Sequence, residues 1–420
     1  MYKATCLENG LTVVSAEMPH MASVSIGIWV GIGGRHEPAP ISGVSHFIEH
    51  LLFKGTKKRS AREISQAVEG IGGYLNAFTS EENTCFYAKA RHDRLPLLLD
   101  VLTDMFLHSA FDPGEMAKER EVIKEELAMY LDQPHQHVQE LLNATMWPGQ
   151  PLGRSITGTV KTVDAITRQD IVEHQRKNYV TGSTVIAAAG RLTHSQLLAA
   201  LRPYVKRFTP GHRPSYTPVV ITHSKPAICL HTKKTEQTQM ALGIRACSRH
   251  DPRRFALRVL NSVLGENMSS RLFQKVREDE GLAYSIYSAN SFFDDTGDLV
   301  VSAGLDLGNL QKTLRIIMRE IQRLREQLVF PSELRRASDY LAGQIDLSLE
   351  NSENQMMWIG EQWLNYGKIT PPSQIKKRLG EVSAAQIRAA ARDFFQPDRF
   401  ALALVSPLKT TRDLDAILTV

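Results

Sequence analysis

A weak internal repeat limits what this 420-residue chain can fold into more than any other feature of its sequence. Ile26, Ile28 and Val30 alternate along a strand-like segment that runs into Arg35-His36-Glu37-Pro38. Met240, Leu242 and Ile244 alternate before Arg249-His250-Asp251-Pro252, each pair 214 positions apart. Later, residues 166–171 lead through a helical stretch to an apolar strand at 185–189, and residues 382–387 lead to another at 402–405, an offset of 216. Near-equal offsets at both ends of a unit of about 210 residues imply duplication. Between the copies, Pro203, Pro210, Pro214 and Pro218 punctuate a stretch with Gly211 and several basic residues, the composition of a linker. The expected organisation is therefore a first half at 1–206, a linker at 207–224 and a homologous half at 225–420.

Within each half, alternating strands are interspersed with longer helical patterns and several strands follow one another directly. This predicts an α+β class, each half a largely antiparallel sheet packed with helices. In the first half, residues 60–69 read as a helix, Gly72-Gly73 as a turn, and residues 74–80 and 84–90 as strands. Residues 297–302 repeat the last of these. A hydrophobic content of 42% is ample for two cores.

One first-half helix has a spacing suited to chemistry, and the same five residues also fit an amphipathic helix whose histidines are polar-face or satisfied core residues. In His46-Phe47-Ile48-Glu49-His50 the histidines lie about 40° apart around a helix, and Glu49 lies about 60° to the other side of His46. All three can face one ligand site, with the histidines holding a metal and Glu49 reaching a water beside it. Catalytic zinc ordinarily takes a third protein ligand and keeps a position for water. The best source is the helix opening at Asp112, where Asp112 suits the N-cap, Pro113 the first helical position and Glu115 a capping box. That helix carries Glu119, Glu121, Glu125 and Glu126 through to about Leu131. Glu119 and Glu126, seven apart, share nearly one face, whereas Glu121 and Glu125 point outward. Periodicity alone leaves open whether Glu119 and Glu126 meet a metal or pair with Arg120, Lys124 or water. The repeat sets His46, Glu49 and His50 against Leu260, Val263 and Leu264, and Glu119 and Glu126 against Ala337 and Gln344. The second half lacks every member of the set.

Bulk properties narrow the setting. Fifty Lys and Arg against 45 Asp and Glu leave a net charge of +5, mixed along the chain with no basic block, which gives no support to nucleic-acid binding. No apolar run approaches the roughly 18–20 residues of a membrane span, and the first residues have no signal-type apolar core, so a cytoplasmic protein without membrane attachment is expected. Cys6, Cys85, Cys229 and Cys247 are too scattered for a disulfide framework or a cysteine zinc site.

The chain resembles the pitrilysin and mitochondrial-processing-peptidase group of inverted-motif zinc peptidases. The resemblance rests on Ser45-His46-Phe47-Ile48-Glu49-His50-Leu51-Leu52-Phe53-Lys54-Gly55-Thr56, Leu75-Asn76-Ala77-Phe78-Thr79-Ser80 and Glu119-Arg120-Glu121-Val122-Ile123-Lys124-Glu125-Glu126. Ser269-Ser270-Arg271-Leu272-Phe273, Val276-Arg277-Glu278 and Gly281-Leu282-Ala283-Tyr284 extend it over essentially the whole chain. It implies one zinc ion per chain ligated by His46, His50 and Glu126, with Glu49 as general base and Glu119 as a supporting carboxylate behind the ligands. It implies that Asn76 and Ala77 lie on an edge strand that pairs with an extended peptide substrate, and that Arg277 and Tyr284 contact that substrate. In short-subunit relatives the site faces a non-catalytic half of another chain across a chamber. The resemblance thus implies a homodimer completed in trans that hydrolyses unstructured peptides. Two other readings are a non-catalytic scaffold or partner subunit, marked by loss of a ligand, and a metal protein without turnover. His135 or His137 would fill zinc's last position in the latter, although their place after Pro134 reads as a solvated loop.

Overall fold

The structure is a computed structural model describing residues 2–221 and 224–418. The first half of the chain runs β1 (Tyr2–Cys6), β2 (Thr12–Glu17), β3 (Ser23–Val30), α1 (Val44–Leu52), α2 (Ala61–Glu69), β4 (Tyr74–Thr79), β5 (Thr84–Arg91) and α3 (Leu95–His108). It continues through α4 (Pro113–Asp132), α5 (Pro134–Met146), α6 (Val160–Ala165), α7 (Arg168–Asn178), β6 (Thr184–Gly190) and α8 (His194–Leu201). The second half runs β7 (Ala227–Thr232), β8 (Thr238–Ala246), α9 (Arg254–Leu264), β9 (Ala283–Phe292), β10 (Gly297–Leu305), α10 (Leu310–Glu326) and α11 (Pro331–Ser348). It ends with α12 (Ser352–Tyr366), α13 (Pro372–Gly380), α14 (Ala384–Phe394), β11 (Phe400–Ser406) and α15 (Arg412–Leu418).

These elements form two compact units, and the class is α+β as expected. Unit 1 takes the chain up to Leu127, Arg154–Thr217 and Asp346–Thr370; unit 2 takes Ala128–Gly153, Pro218–Ile345 and the chain from Pro371 onward. The sheet of unit 1 has the order β1-β2-β6-β3-β5-β4, antiparallel except for β2 with β6. The sheet of unit 2 has the order β7-β11-β8-β10-β9, antiparallel except for β7 with β11. With β1 set aside, one order maps strand for strand onto the other, so the repeat in sequence is a repeat of topology.

The strands divide at the Pro-rich segment, but two helices do not follow them. On β3 of unit 1, Val24, Ile26, Ile28 and Val30 pack with Phe47, Ile48 and Leu51 of α1 and Leu98 and Leu102 of α3. The alternate residues are buried too, Trp29 among them, in a second layer with Met356, Ile359 and Leu364 of α12. In unit 2, Met240, Leu242 and Ile244 pack with Leu257, Leu260 and Leu264 of α9, while Ala241, Ala401, Ala403 and Val405 pack with Val138, Leu142 and Met146 of α5. Each sheet is thus sealed by a helix drawn from the other half of the sequence. Glycine marks both crossings. Gly27 faces Ala187 and Gly243 faces Ala401 in the strand registers, and a Cβ on Gly27 would run into Met356 Sδ, one on Gly243 into Met146 Sδ.

Candidate metal centre

The helix that carries the His-x-x-Glu-His spacing is anchored from outside itself. The first amides of any helix have no partner within it, and here the N-cap residue is Gly43 at φ 96°, with no side chain to supply one. Glu37 supplies it instead: its Oε2 accepts from Gly43 N at 2.6 Å and its Oε1 from Ser45 N at 2.8 Å. A Cβ at Gly43 would lie 2.7 Å from Thr157 O, so the close approach and the left-handed backbone both require glycine. Arg154 Nη2 in turn donates to the Glu37 carbonyl at 2.7 Å. Burial pushes the Glu37 carboxyl up to about 7, against the opposing pull of the Gly43 and Ser45 amides. Sequence reasoning missed this role because Glu37 stands six residues ahead of Gly43, outside the local window in which caps are sought. The repeat held the signal, since Asp251, 214 positions on, accepts from Arg253 N at 2.8 Å just ahead of α9.

From this anchor α1 buries Phe47, Ile48, Leu51 and Leu52, and it brings His46 and His50 to α4. At the head of α4, Asp112 Oδ1 accepts from Gly114 N and Glu115 N at 2.8 and 3.1 Å, the expected cap, but Glu115 turns to Lys118 rather than closing a capping box. Further along, α4 buries Met116, Glu119, Ile123 and Leu127. This registers Glu126 against both histidines: its Oε2 lies 3.7 Å from His46 Nε2 and 3.6 Å from His50 Nε2. His50 Nδ1 meets Glu119 Oε2 at 3.1 Å, and Lys54 Nζ holds Glu119 Oε1 at 2.7 Å.

These side chains have the properties of a metal site. One ligand atom from each of His46, His50 and Glu126 lies within 4.8 Å of the others, and among the described residues no other group of three His, Cys, Asp or Glu does so. A carboxylate only accepts hydrogen bonds, so the Glu119 contact places the proton of neutral His50 on Nδ1 and leaves the Nε2 lone pair facing Glu126. For His50 burial favours the neutral ring, but bonds to Glu126 and Glu119 outweigh it and raise the pKa on balance. Burial, with His50 adding, lowers His46 to about 4, so it presents a neutral imidazole near neutral pH. With His50 in its neutral form, two imidazole nitrogens and one carboxylate oxygen are a donor set that zinc accepts. Of the two glutamates that periodicity left open, Glu126 converges with both histidines and Glu119 stands behind His50.

The remaining expected residues fall in two places. Glu49, raised by burial, accepts from Thr79 Oγ1 at 2.5 Å, and Thr79 closes β4. Asn76 and Ala77 lie on that same strand, an edge of the unit 1 sheet, where Asn76 is exposed and its Oδ1 accepts from Ala77 N at 2.8 Å. Arg277 and Tyr284 belong to unit 2. Arg277 sits in the short π-helix Phe273–Asp279, its guanidinium carbon 4.9 Å from the Phe273 ring centroid and 5.5 Å from that of Tyr284. Tyr284, on the edge strand β9, is 77% exposed rather than part of a core. The expected solvated loop around His135 and His137 is instead the first turn of α5. Pro134 starts that helix, and His137 is buried with its ring centroid 4.7 Å from that of His231.

Comparison with known proteins agrees with this fold. The family model Insulinase (Peptidase family M16) matches residues 12–160 and the model Peptidase M16 inactive domain matches residues 165–341, and the chain belongs to peptidase family M16. It is 37% identical over 412 residues to an uncharacterized zinc protease of Bacillus subtilis, a match covering 97% of this chain and 98% of that protein. An uncharacterized zinc protease of Streptomyces coelicolor is 38% identical over 413 residues, covering 97% and 90%. Among solved structures, a protease from Helicobacter pylori shares the fold with a TM-score of 0.90 at 20% identity, over 97% of this chain and 100% of that one. A chain of complex III2 from Candida albicans does so with a TM-score of 0.86 at 18% identity over the full length of both. No helix among the described residues is long and apolar enough to cross a membrane.

Proposed function

We propose that the chain is a zinc-dependent endopeptidase that cleaves extended, unstructured peptides, with His46, His50 and Glu126 as the ligands of one zinc ion. The observation that carries this reading is the convergence of those three side chains beside Glu49, with Glu119 behind His50. When bound, zinc acts as a Lewis acid toward a peptide carbonyl and acidifies water. Glu49 takes the proton of the attacking water and returns it to the leaving amine, and burial raises its carboxyl in the direction such a base requires. The main chain of β4 around Asn76 and Ala77 offers an edge on which a peptide can lie as an added strand. In this reading Arg277 and Tyr284 hold the substrate backbone from a second copy of the chain, so that a homodimer encloses the peptide in a chamber. Four unpaired cysteines fit a cytoplasmic setting. The alternative of a non-catalytic partner subunit has less support, since no ligand is missing. Metal analysis together with cleavage of a mixed peptide library by wild type and Glu49→Gln tests the reading. Zinc retained with cleavage abolished is the expected outcome, and undiminished cleavage by the variant would reject it.

A further inference from the structure

The hydroxyl of Thr79 is placed to select which oxygen of Glu49 does chemistry. Thr79 Oγ1 lies 2.5 Å from Glu49 Oε2, within the range of a hydroxyl bonded to a carboxylate. The direction of that bond is fixed by its neighbours. Thr84 Oγ1, 3.5 Å from Thr79 Oγ1, has a single proton and donates it to Ile32 O at 2.9 Å, and the Glu49 carboxylate can only accept. The Thr79 proton therefore goes to Oε2. Among the described residues Glu49 Oε1 has no hydrogen-bond partner, which leaves it as the acceptor open to a reacting water. Thr79 is also the last residue of β4, three positions from Asn76 on the edge strand.

We propose that Thr79 is a positioning residue: its hydroxyl pins Glu49 through Oε2, leaves Oε1 to receive the proton, and ties the base to the strand on which the peptide docks. This rests on the peptidase reading above. A peptide added to β4 steadies the strand, and through Thr79 it steadies the base, so that docking and proton transfer share one element.

Threonine and valine have the same shape and the same preference for a strand, so Thr79→Val removes the hydroxyl and little else. The experiment compares kcat, KM and zinc content for wild type, Thr79→Val, Thr79→Ser and Glu49→Gln on one peptide. A misplaced base costs roughly 10- to 100-fold, so Thr79→Val is expected to lose that much in kcat, with KM within about twofold and zinc content unchanged. Thr79→Ser, which keeps the hydroxyl, is expected to recover most of the loss. The proposal is overturned if Thr79→Val keeps wild-type kcat, if Thr79→Ser is as impaired as Thr79→Val, or if the loss tracks departure of zinc. Cleavage surviving in Glu49→Gln would instead reject the underlying peptidase reading, and the role of Thr79 with it.

Discussion

His50 shows how much of the centre is decided within a single side chain. One ring nitrogen meets Glu119 at 3.1 Å and the other faces Glu126 at 3.6 Å, so the two carboxylates that periodicity could not separate are separated by the two ends of one imidazole. Removing the charge behind the ring should weaken the site without dismantling it. Glu119→Gln is expected to lower zinc affinity by roughly 10- to 100-fold, read by competition with a chromophoric chelator, with the thermal transition little changed. Glu37 acts on stability instead. Glu37→Ala strands two buried amides at the head of α1 and should cost about 2–4 kcal/mol in denaturant unfolding. His174, whose Nε2 lies 3.4 Å from Ser45 Oγ, is held at about 4 by burial, with His36 and Lys177 adding. A histidine whose folded pKa is depressed contributes stability that is complete above its unfolded value near 6.5 and is lost as pH falls from there toward 4. The slope is at most about 1.4 kcal/mol per pH unit. Thermal unfolding followed from pH 7 to 4 should therefore be flatter for His174→Gln than for wild type. His46, Glu49 and His50 were legible in the sequence because one helix turn sets their spacing. Glu37 and Thr79 were not, because both reach α1 through contacts that no local pattern encodes.

At the scale of elements, the alternation of Ile26, Ile28 and Val30 disclosed one face of β3 and concealed the other. Gly27 and Trp29 read as interruptions of a half-buried strand until α12 is laid over them. The same concealment turned the start of α5 into an apparent loop: its proline and histidines look polar and irregular in sequence, yet the helix covers β8 and β11. The cross-packed helices should be costly to erode. Met356 is fully buried against the unit 1 sheet, and Met356→Ala should lower unfolding free energy by about 2–5 kcal/mol, a value set by how far the cavity collapses. An effect below about 1 kcal/mol in a urea titration would mean that α12 is not the seal the packing describes. By contrast, α4 was legible almost from end to end, because Asp112 and Pro113 fix its start and its buried face repeats at helical spacing.

At the scale of the whole molecule, one topology has been used twice with different side chains at matching places. Where α1 carries His46, Glu49 and His50, α9 carries Leu260, Val263 and Leu264, which are buried among apolar neighbours. The second unit keeps an exposed tyrosine with an arginine over its ring, on a strand that corresponds to β4. If those residues serve a neighbouring subunit's site, mixing a Glu49→Gln chain with an Arg277→Ala chain should restore part of the activity that each lacks alone. Hybrid dimers that form without any recovery would count against completion in trans. The repeat that announced two halves could not reveal the exchanged helices, since nothing in a periodic pattern says which sheet a helix will cover.

The central claim is that His46, His50 and Glu126 hold a single zinc ion, and anomalous diffraction at the zinc absorption edge from crystals of the purified wild-type chain tests it most directly. One anomalous peak per chain, within bonding distance of both Nε2 atoms and the Glu126 carboxylate, is the predicted result. A fully zinc-loaded protein whose peak lies elsewhere, or whose peak is ligated by Glu119 in place of Glu126, would contradict it.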